Sequence, residues 1–393
     1  MKSSHHEGKS YGVRKIATGE ALLMNILITY YIPSGGVHTL NKQRYAALRA
    51  RGVECHFLYQ WPGKDSRQEA QTIPMIVTDE DARIAELLRT MHFDLVIVNS
   101  NYMMLERIRR CGYGGPVIFE CQGLGTLEET IGEMLKALPY IHSCSNAVLY
   151  PKTEHMRLLF QELYPTVRQF SFHNCLDTEM FGYRKRNAAD EKGDRRRVAS
   201  VRRPIVGWVG RIERNKNWRG FLRMAKAWID RFPQLTVWMF EDADLYEETE
   251  KIAYEQMLRD YAFNDRLVRL HNVPHEKMAD MYSEIGDSGG FLCSTSYNEG
   301  FGYAMLEAMS CRCPVLASDS DGPRSFVIHD KTGKMYPVNH EEEGIRQGID
   351  YLTKHELREK IRRRASRYVR RHFSPDAYAE QFIAMLRALN LRV

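Results

Sequence analysis

The stretch MNILITYYIPSGGVHTL, residues 24–40, decides the fold. It runs from an apolar, β-branched segment at Asn25–Tyr30 through Gly35-Gly36 into a helical pattern over Val37–Arg51 that stops at Gly52. A strand, a glycine turn and a helix in that order form one parallel β-α unit. The stretch PIVGWVGRIERNKNW, residues 204–218, repeats the arrangement and leads into a helical pattern over Asn217–Phe232. Further apolar runs that predict strands lie at Val53–Tyr59, Asp94–Asn99, Pro116–Cys121, Leu235–Phe240, Leu267–Asn272, Gly290–Ser294 and Pro314–Ser318. Continuous apolar strands alternating with helices mean parallel sheets covered on both faces. The predicted fold is α/β, two Rossmann-like doubly wound domains facing each other across a cleft.

Composition sets the outer limits. A chain of 393 residues suits two domains. No apolar run reaches the roughly 18–20 residues that a membrane span needs. The predicted order is a flexible leader at 1–23, an N-terminal Rossmann-like domain at 24–181, a basic linker at 182–203, a second Rossmann-like domain at 204–373 and a C-terminal helix at 374–393. That helix begins Ser-Pro-Asp, a strong start signal, and is expected to return to the N-terminal domain. Eight scattered cysteines without metal-ligand spacing point to a reducing cytoplasm. The net charge of +6 is concentrated in residues 184–203, with nine Lys or Arg against three acids, and in REKIRRRASRYVRR at 358–371. Two readings stand for these clusters: solvated faces, or attraction to an anionic partner, either an acidic acceptor or the headgroups of a membrane's inner surface. No aromatic platform is interleaved with them, which argues against nucleic acid.

Three loops after predicted strands carry chemistry, because ligands of doubly wound sheets bind at the carboxyl ends of the strands. Gly35 and Gly36 let backbone approach a ligand beside a helix N-terminus. Gly210 is followed by Arg211, and Lys216 lies five residues on; two cations near a helix start suit a diphosphate. In SYNEGFGYAMLEAM, residues 296–309, Glu299 and Glu307 flank Gly300-Phe301-Gly302-Tyr303, with a helix expected from Phe301. The amides at Phe301, Gly302 and Tyr303 would offer unpaired donors. Glu307 suits a ribose diol, and Glu299 suits sugar hydroxyls. A glycosidase acid/base pair needs carboxyls about 5–9.5 Å apart, whereas eight helical residues span roughly 12 Å. The spacing fits one extended ligand such as a nucleotide-sugar.

Together these motifs resemble the retaining glycosyltransferases of family four, with the two-Rossmann GT-B architecture. EGFGYAMLE is similar to that family's E-x7-E signature, and GRIERNK to its G-R-(x)4-K loop. PSGGV is similar to its first glycine loop. HNCLDTEMF resembles its interdomain stretch, and EAMSCRCPVLASDSDGPRSFV the segment after the signature. The resemblance implies a nucleotide-sugar donor, UDP- or GDP-linked, with Arg211 and Lys216 on the departing diphosphate, Glu307 on the ribose and Glu299 on the sugar. It implies Gly36 at the phosphate, no metal and no further cofactor. The acceptor stays open among saccharides, lipid-linked glycans and small molecules. An epimerase or phosphorylase of the same fold, or a non-catalytic sugar-nucleotide binder, are the alternatives. The sequence departs from the family at Cys121-Gln122-Gly123, where a His-Gly is common, so Gln122 would act by hydrogen bonding. It departs again at Arg312 and Ser325, and in MFEDADLYEE at 239–248, which stands in place of a glycine-rich turn. Asp242-Ala243-Asp244 and Asp319-Ser320-Asp321 are D-x-D tripeptides of the kind that hold a metal in single-domain transferases.

Overall fold

The computed structural model describes residues 24–63, 72–123, 127–185 and 203–391. The predicted leader and residues 186–202 of the predicted linker lie outside them. The first sheet contains β1 (Met24–Tyr30), β2 (Val53–Tyr59), β3 (Met75–Val77), β4 (Leu95–Asn99), β5 (Val117–Glu120), β6 (Ala147–Pro151) and β7 (Gln169–Phe172), in the order β3-β2-β1-β4-β5-β6-β7. The second contains β8 (Ile205–Val209), β9 (Thr236–Glu241), β10 (Leu267–His271), β11 (Phe291–Ser294), β12 (Val315–Ser318) and β13 (Lys334–Tyr336), in the order β10-β9-β8-β11-β12-β13. Every pairing of these strands is parallel. The expected α/β class and paired doubly wound sheets are therefore present.

Strand order sets where ligands go. β1 pairs with both β2 and β4, and β8 with both β9 and β11. Those are the points where the winding reverses, and the crevice of a doubly wound sheet opens there. The two loops richest in chemistry, 210–217 and 295–302, leave β8 and β11, neighbours at the second reversal.

Alternation along β1 places Ile26 and Ile28 on one face and Leu27 on the other, each in its own buried cluster. On the Ile26 face pack α1 (Gly35–Arg49), through Leu40 and Leu48, and the C-terminal helix, through Tyr378, Phe382 and Leu386. Fully burying such a side chain contributes roughly 1.5–3 kcal/mol. Four further helices matter below: α2 (Trp218–Arg231), α3 (Tyr303–Ser310), α4 (His355–His372) and α5 (Pro375–Ala388). Ser374 caps α5, its hydroxyl accepting the Ala377 amide at 3.3 Å, with Pro375 in the first turn. The chain crosses between domains twice, and the crossings bond to each other: the Leu176 amide donates to the Phe373 carbonyl at 2.7 Å.

The basic stretch at 358–371 is not simply a solvated face. Arg358 and Arg362 are buried. Arg358 Nη1 donates to the Tyr351 carbonyl at 2.6 Å. Arg362 donates to Asp287 at 2.7 Å, to the Arg312 carbonyl at 2.7 Å and to Glu359 at 3.1 Å. Arg312 occupies the left-handed region (φ 59°) directly after α3, where glycine is usual. Its guanidinium lies 4.6 Å from the centre of the Tyr183 ring, and the bond from Arg362 holds its carbonyl. Those contacts offset a backbone cost of roughly 1–2 kcal/mol. Because Arg362 leaves Asp287 behind when removed, Arg362→Met should destabilise the fold by about 3 kcal/mol. Arg364→Met, on the exposed side of α4, should change stability by less than about 0.5 kcal/mol. Denaturant unfolding of the two variants checks the contrast.

Candidate active site

One cleft of about 620 Å³ is lined from both domains. The N-terminal side supplies Tyr30, Gly36, Gln122 and Asn174; the C-terminal side supplies Gly210, Arg211, Lys216, Glu299, Phe301–Tyr303 and Glu307. Gly35 and Gly300 are absent from the lining. Gly35 begins α1 at φ 74°, and Gly300 lies close enough that a Cβ on it would be 3.8 Å from the Gln122 carbonyl.

The loop after β8 folds tightly. A Cβ on Gly210 would approach the Trp208 ring to 2.7 Å, so the turn needs glycine. Residues Arg214–Lys216 form a 3-10 turn, and Asn217 caps α2 by accepting the Gly220 amide at 3.1 Å. Asn215 sews this loop to the one after β11. Its carbonyl accepts the Tyr297 amide at 2.8 Å, its Oδ1 accepts the Asn298 amide at 3.1 Å, and its Nδ2 donates to the Asn298 carbonyl at 2.9 Å. The result is an ion pair, Lys216 Nζ to Glu299 Oε2 at 2.7 Å. The Ser296 hydroxyl donates to the same oxygen at 3.1 Å. Arg211, 54 % exposed, pairs with Glu213 at 3.0 Å.

Below Glu299 the chain turns through Gly302 at φ 91°, and α3 begins at Tyr303 rather than at Phe301. The left-handed cap starts the helix two residues later than the apolar pattern predicts. Gly322 supports the turn: its amide donates to the Glu299 carbonyl at 2.9 Å, and a Cβ there would meet that oxygen at 2.5 Å. Phe301 lies within 6.1 Å of the Tyr303, Phe326 and Phe373 ring centres, so it packs as well as lines the cleft. The Tyr303 ring packs against buried clusters of both domains.

Glu307, 4 % exposed, lies within α3 and meets His275 Nε2 at 2.9 Å and the Tyr282 hydroxyl at 3.3 Å. The bond to Glu307 raises the His275 pKa above 6.5, against opposing burial and the nearby Lys42 cation, with Glu276 adding a further upward push. Burial pushes the Tyr282 phenol well above 10. Neither partner was legible in the sequence, because both come from a segment some thirty residues before Glu307 in the chain. Gln122 donates from Nε2 to Glu120 at 2.8 Å and accepts from Asn174 Nδ2 at 2.7 Å.

The far end of the cleft is formed by Phe240, Glu241, Asp242, Leu270 and Asn272, part of it from the segment that departs from the family pattern. Asp242 Oδ1 accepts the amides of Asp244 and Leu245 at 2.9 and 3.0 Å, and Asp319 pairs with Arg324 at 2.6 Å. The two D-x-D tripeptides thus shape local turns and pairs. Among the described residues no group of three or more His, Cys, Asp or Glu is arranged to hold a metal.

Two doubly wound domains with a cleft between them define the GT-B class. Solved structures share the fold at low identity. Anabaena HepE in complex with UDP and glucose superposes with a TM-score of 0.75 at 16% identity, covering 93% of this chain and 100% of that one. Sucrose-phosphate synthase from Thermosynechococcus elongatus gives 0.75 at 17%, covering 93% and 99%. Residues 190–372 match the family described as "Glycosyl transferases group 1". A sucrose synthase of Solanum tuberosum is 24% identical over 163 residues, 39% of this chain and 20% of the relative. The lipopolysaccharide core biosynthesis mannosyltransferase LpcC of Rhizobium leguminosarum bv. viciae is 28% identical over 191 residues, 48% of this chain and 51% of the relative. The match thus spans only about a fifth to a half of these curated relatives' length.

The raised His275 pKa makes a prediction about stability. A group whose pKa is higher folded than unfolded adds stability below its unfolded value and loses it as pH rises through the folded value. The stability gap between wild type and His275→Gln should therefore be widest below pH 6.5 and shrink well above it. Thermal melts across that range check the sign; a gap that widens with rising pH would contradict it.

Proposed function

We propose that the chain is a retaining glycosyltransferase that moves a sugar from a nucleotide-sugar to an acceptor hydroxyl without a metal ion. The observation that carries this is the Lys216–Glu299 pair at the centre of a cleft with Arg211 and Glu307 along the same wall. One ligand then spans the wall: diphosphate on Arg211 and Lys216, ribose diol on Glu307, sugar hydroxyls on Glu299. UDP-linked sugars are the first donors to test, because the HepE structures hold UDP, glucose and UDP-glucose.

In this reading the bond between the anomeric carbon and the diphosphate oxygen breaks as negative charge builds on the phosphate. An ammonium with three donors can serve carboxylate and phosphate together. Arg211 and Lys216, with the positive N-terminus of α3, supply the stabilisation that a divalent ion would otherwise give. The acceptor oxygen bonds to the anomeric carbon on the face the phosphate leaves, and its proton passes to the departing phosphate. The Glu299 carboxylate favours the positive charge that develops on the ring. The N-terminal domain reads the acceptor. Among the described residues no helix is long and apolar enough to cross a membrane. With Arg358 and Arg362 buried, contact between this helix and anionic lipid falls to Lys360, Arg363, Arg364, Arg367, Arg370 and Arg371.

A thermal-shift panel of UDP-, GDP-, ADP-, dTDP- and CMP-sugars selects the donor, and acceptor-dependent release of nucleoside diphosphate separates a transferase from an epimerase or a binder. Lys216→Ala removes a charge-assisted bond of about 1.5–3 kcal/mol, so nucleoside-diphosphate affinity should fall roughly 10- to 150-fold. Glu299→Ala should abolish transfer with nucleotide binding retained, and a chelator should leave the rate unchanged. A strict Mn²⁺ requirement would overturn the metal-free part.

A further inference from the structure

Behind the N-terminal wall of the cleft lies a buried polar cluster that the reaction as described does not use. Glu120, the last residue of β5, is 1 % exposed and accepts four hydrogen bonds. Arg44 Nη1 reaches its two oxygens at 3.0 and 2.8 Å, Asn99 Nδ2 reaches Oε2 at 2.6 Å, and Gln122 Nε2 reaches Oε1 at 2.8 Å. Arg44, on α1, is fully buried, and its other arm donates to Asn41 Oδ1 at 2.5 Å.

A carboxylate held against a buried guanidinium only accepts. The end of Gln122 that faces Glu120 must therefore be its nitrogen, whichever way an amide could otherwise turn. Gln122 Oε1 is then taken by Asn174 Nδ2 at 2.7 Å. One Nε2 hydrogen remains, with no partner among the described residues, on a side chain that lines the cleft. Gly300, beside Glu299, lies near the Gln122 backbone carbonyl, so Gln122 borders the part of the cleft that the proposed function gives to the sugar. Glu299 can only accept and Gln122, so oriented, offers a donor, which gives a polyol complementary partners on the two domains.

We propose that Glu120, held by Arg44, and Asn174 are positioning residues that lock Gln122 as a hydrogen-bond donor to a hydroxyl of the transferring sugar. The proposal rests on the glycosyl-transfer reading. Its test follows nucleoside-diphosphate release from the nucleotide-sugar picked by thermal shift, with water as acceptor. Glu120→Gln lets the Gln122 amide turn, so kcat should fall tenfold or more while nucleoside-diphosphate affinity stays within twofold. That variant also leaves Arg44 unpaired, so a fold effect must be separated. In a Gln122→Ala background, Glu120→Gln should lower the melting temperature by the same amount yet cost no further kcat. Equal kcat losses in the two backgrounds would mean a structural role only and would overturn the proposal, as would wild-type kcat in Glu120→Gln. If the wild type releases no nucleoside diphosphate to water or to any acceptor hydroxyl supplied, the transferase reading fails and the orientation is still decided. The Gln122 side-chain amide signal, identified by its loss in Gln122→Ala, should move in both Glu120→Gln and Asn174→Ala. A signal unmoved in both would overturn the locked orientation.

Discussion

The pair between Lys216 and Glu299 is the contact on which the rest of the site depends. Each side chain comes from a loop of its own, and each loop follows one of two strands that neighbour each other where the second sheet reverses its winding. Parallel β8 and β11 bring the loops side by side, and Asn215 bonds one to the other through three hydrogen bonds. The effect is to hold an ammonium beside a carboxylate, at 2.7 Å, on the cleft wall, where the proposed reaction uses the one for phosphate and the other for the sugar. Preorganised charge of this kind needs no rearrangement when charge develops in a reaction, which is why it is effective.

The second constraint is the way the two domains are tied. The chain passes to the second domain through 173–181 and returns at 373, and a backbone bond joins the crossings. Tyr303 extends from the signature helix into contact with the first domain's core, and Asn174, on the outgoing crossing, bonds to Gln122 on the cleft wall. The side chains that face each other across the cleft are thus set by the same segments that join the domains.

Much of this was legible because buried parallel strands write themselves as apolar runs. Asn25–Tyr30, Val53–Tyr59 and Pro204–Gly210 overlap β1, β2 and β8 closely. β3, β7 and β13 escaped notice: they are three or four residues long, too short for a pattern to stand out, and lie at sheet edges. β6 escaped too, its five buried residues ending in Pro151. Glu299, Arg211, Lys216 and Glu307 could be picked out because glycines and helix starts surround them or because they follow a strand, and Gln122 because it stands where the resembled family has a histidine. Their supports could not. His275 and Tyr282 approach Glu307 from another strand-helix unit, and Arg44 and Asn174 flank the Glu120–Gln122 unit from distant segments, so no local spacing announces them. The basic run at 358–371 misled for a related reason: sequence shows charge but not which arginines turn inward to Asp287 and the Arg312 carbonyl.

The most direct measurement is a crystal structure of the protein with an intact nucleotide-sugar bound. The account predicts one ligand lying along the C-terminal wall, its diphosphate within hydrogen-bond reach of Arg211 and Lys216, its ribose on Glu307 and its sugar between Glu299 and Gln122. A nucleotide bound elsewhere, or one whose diphosphate lies away from both cations, would contradict it.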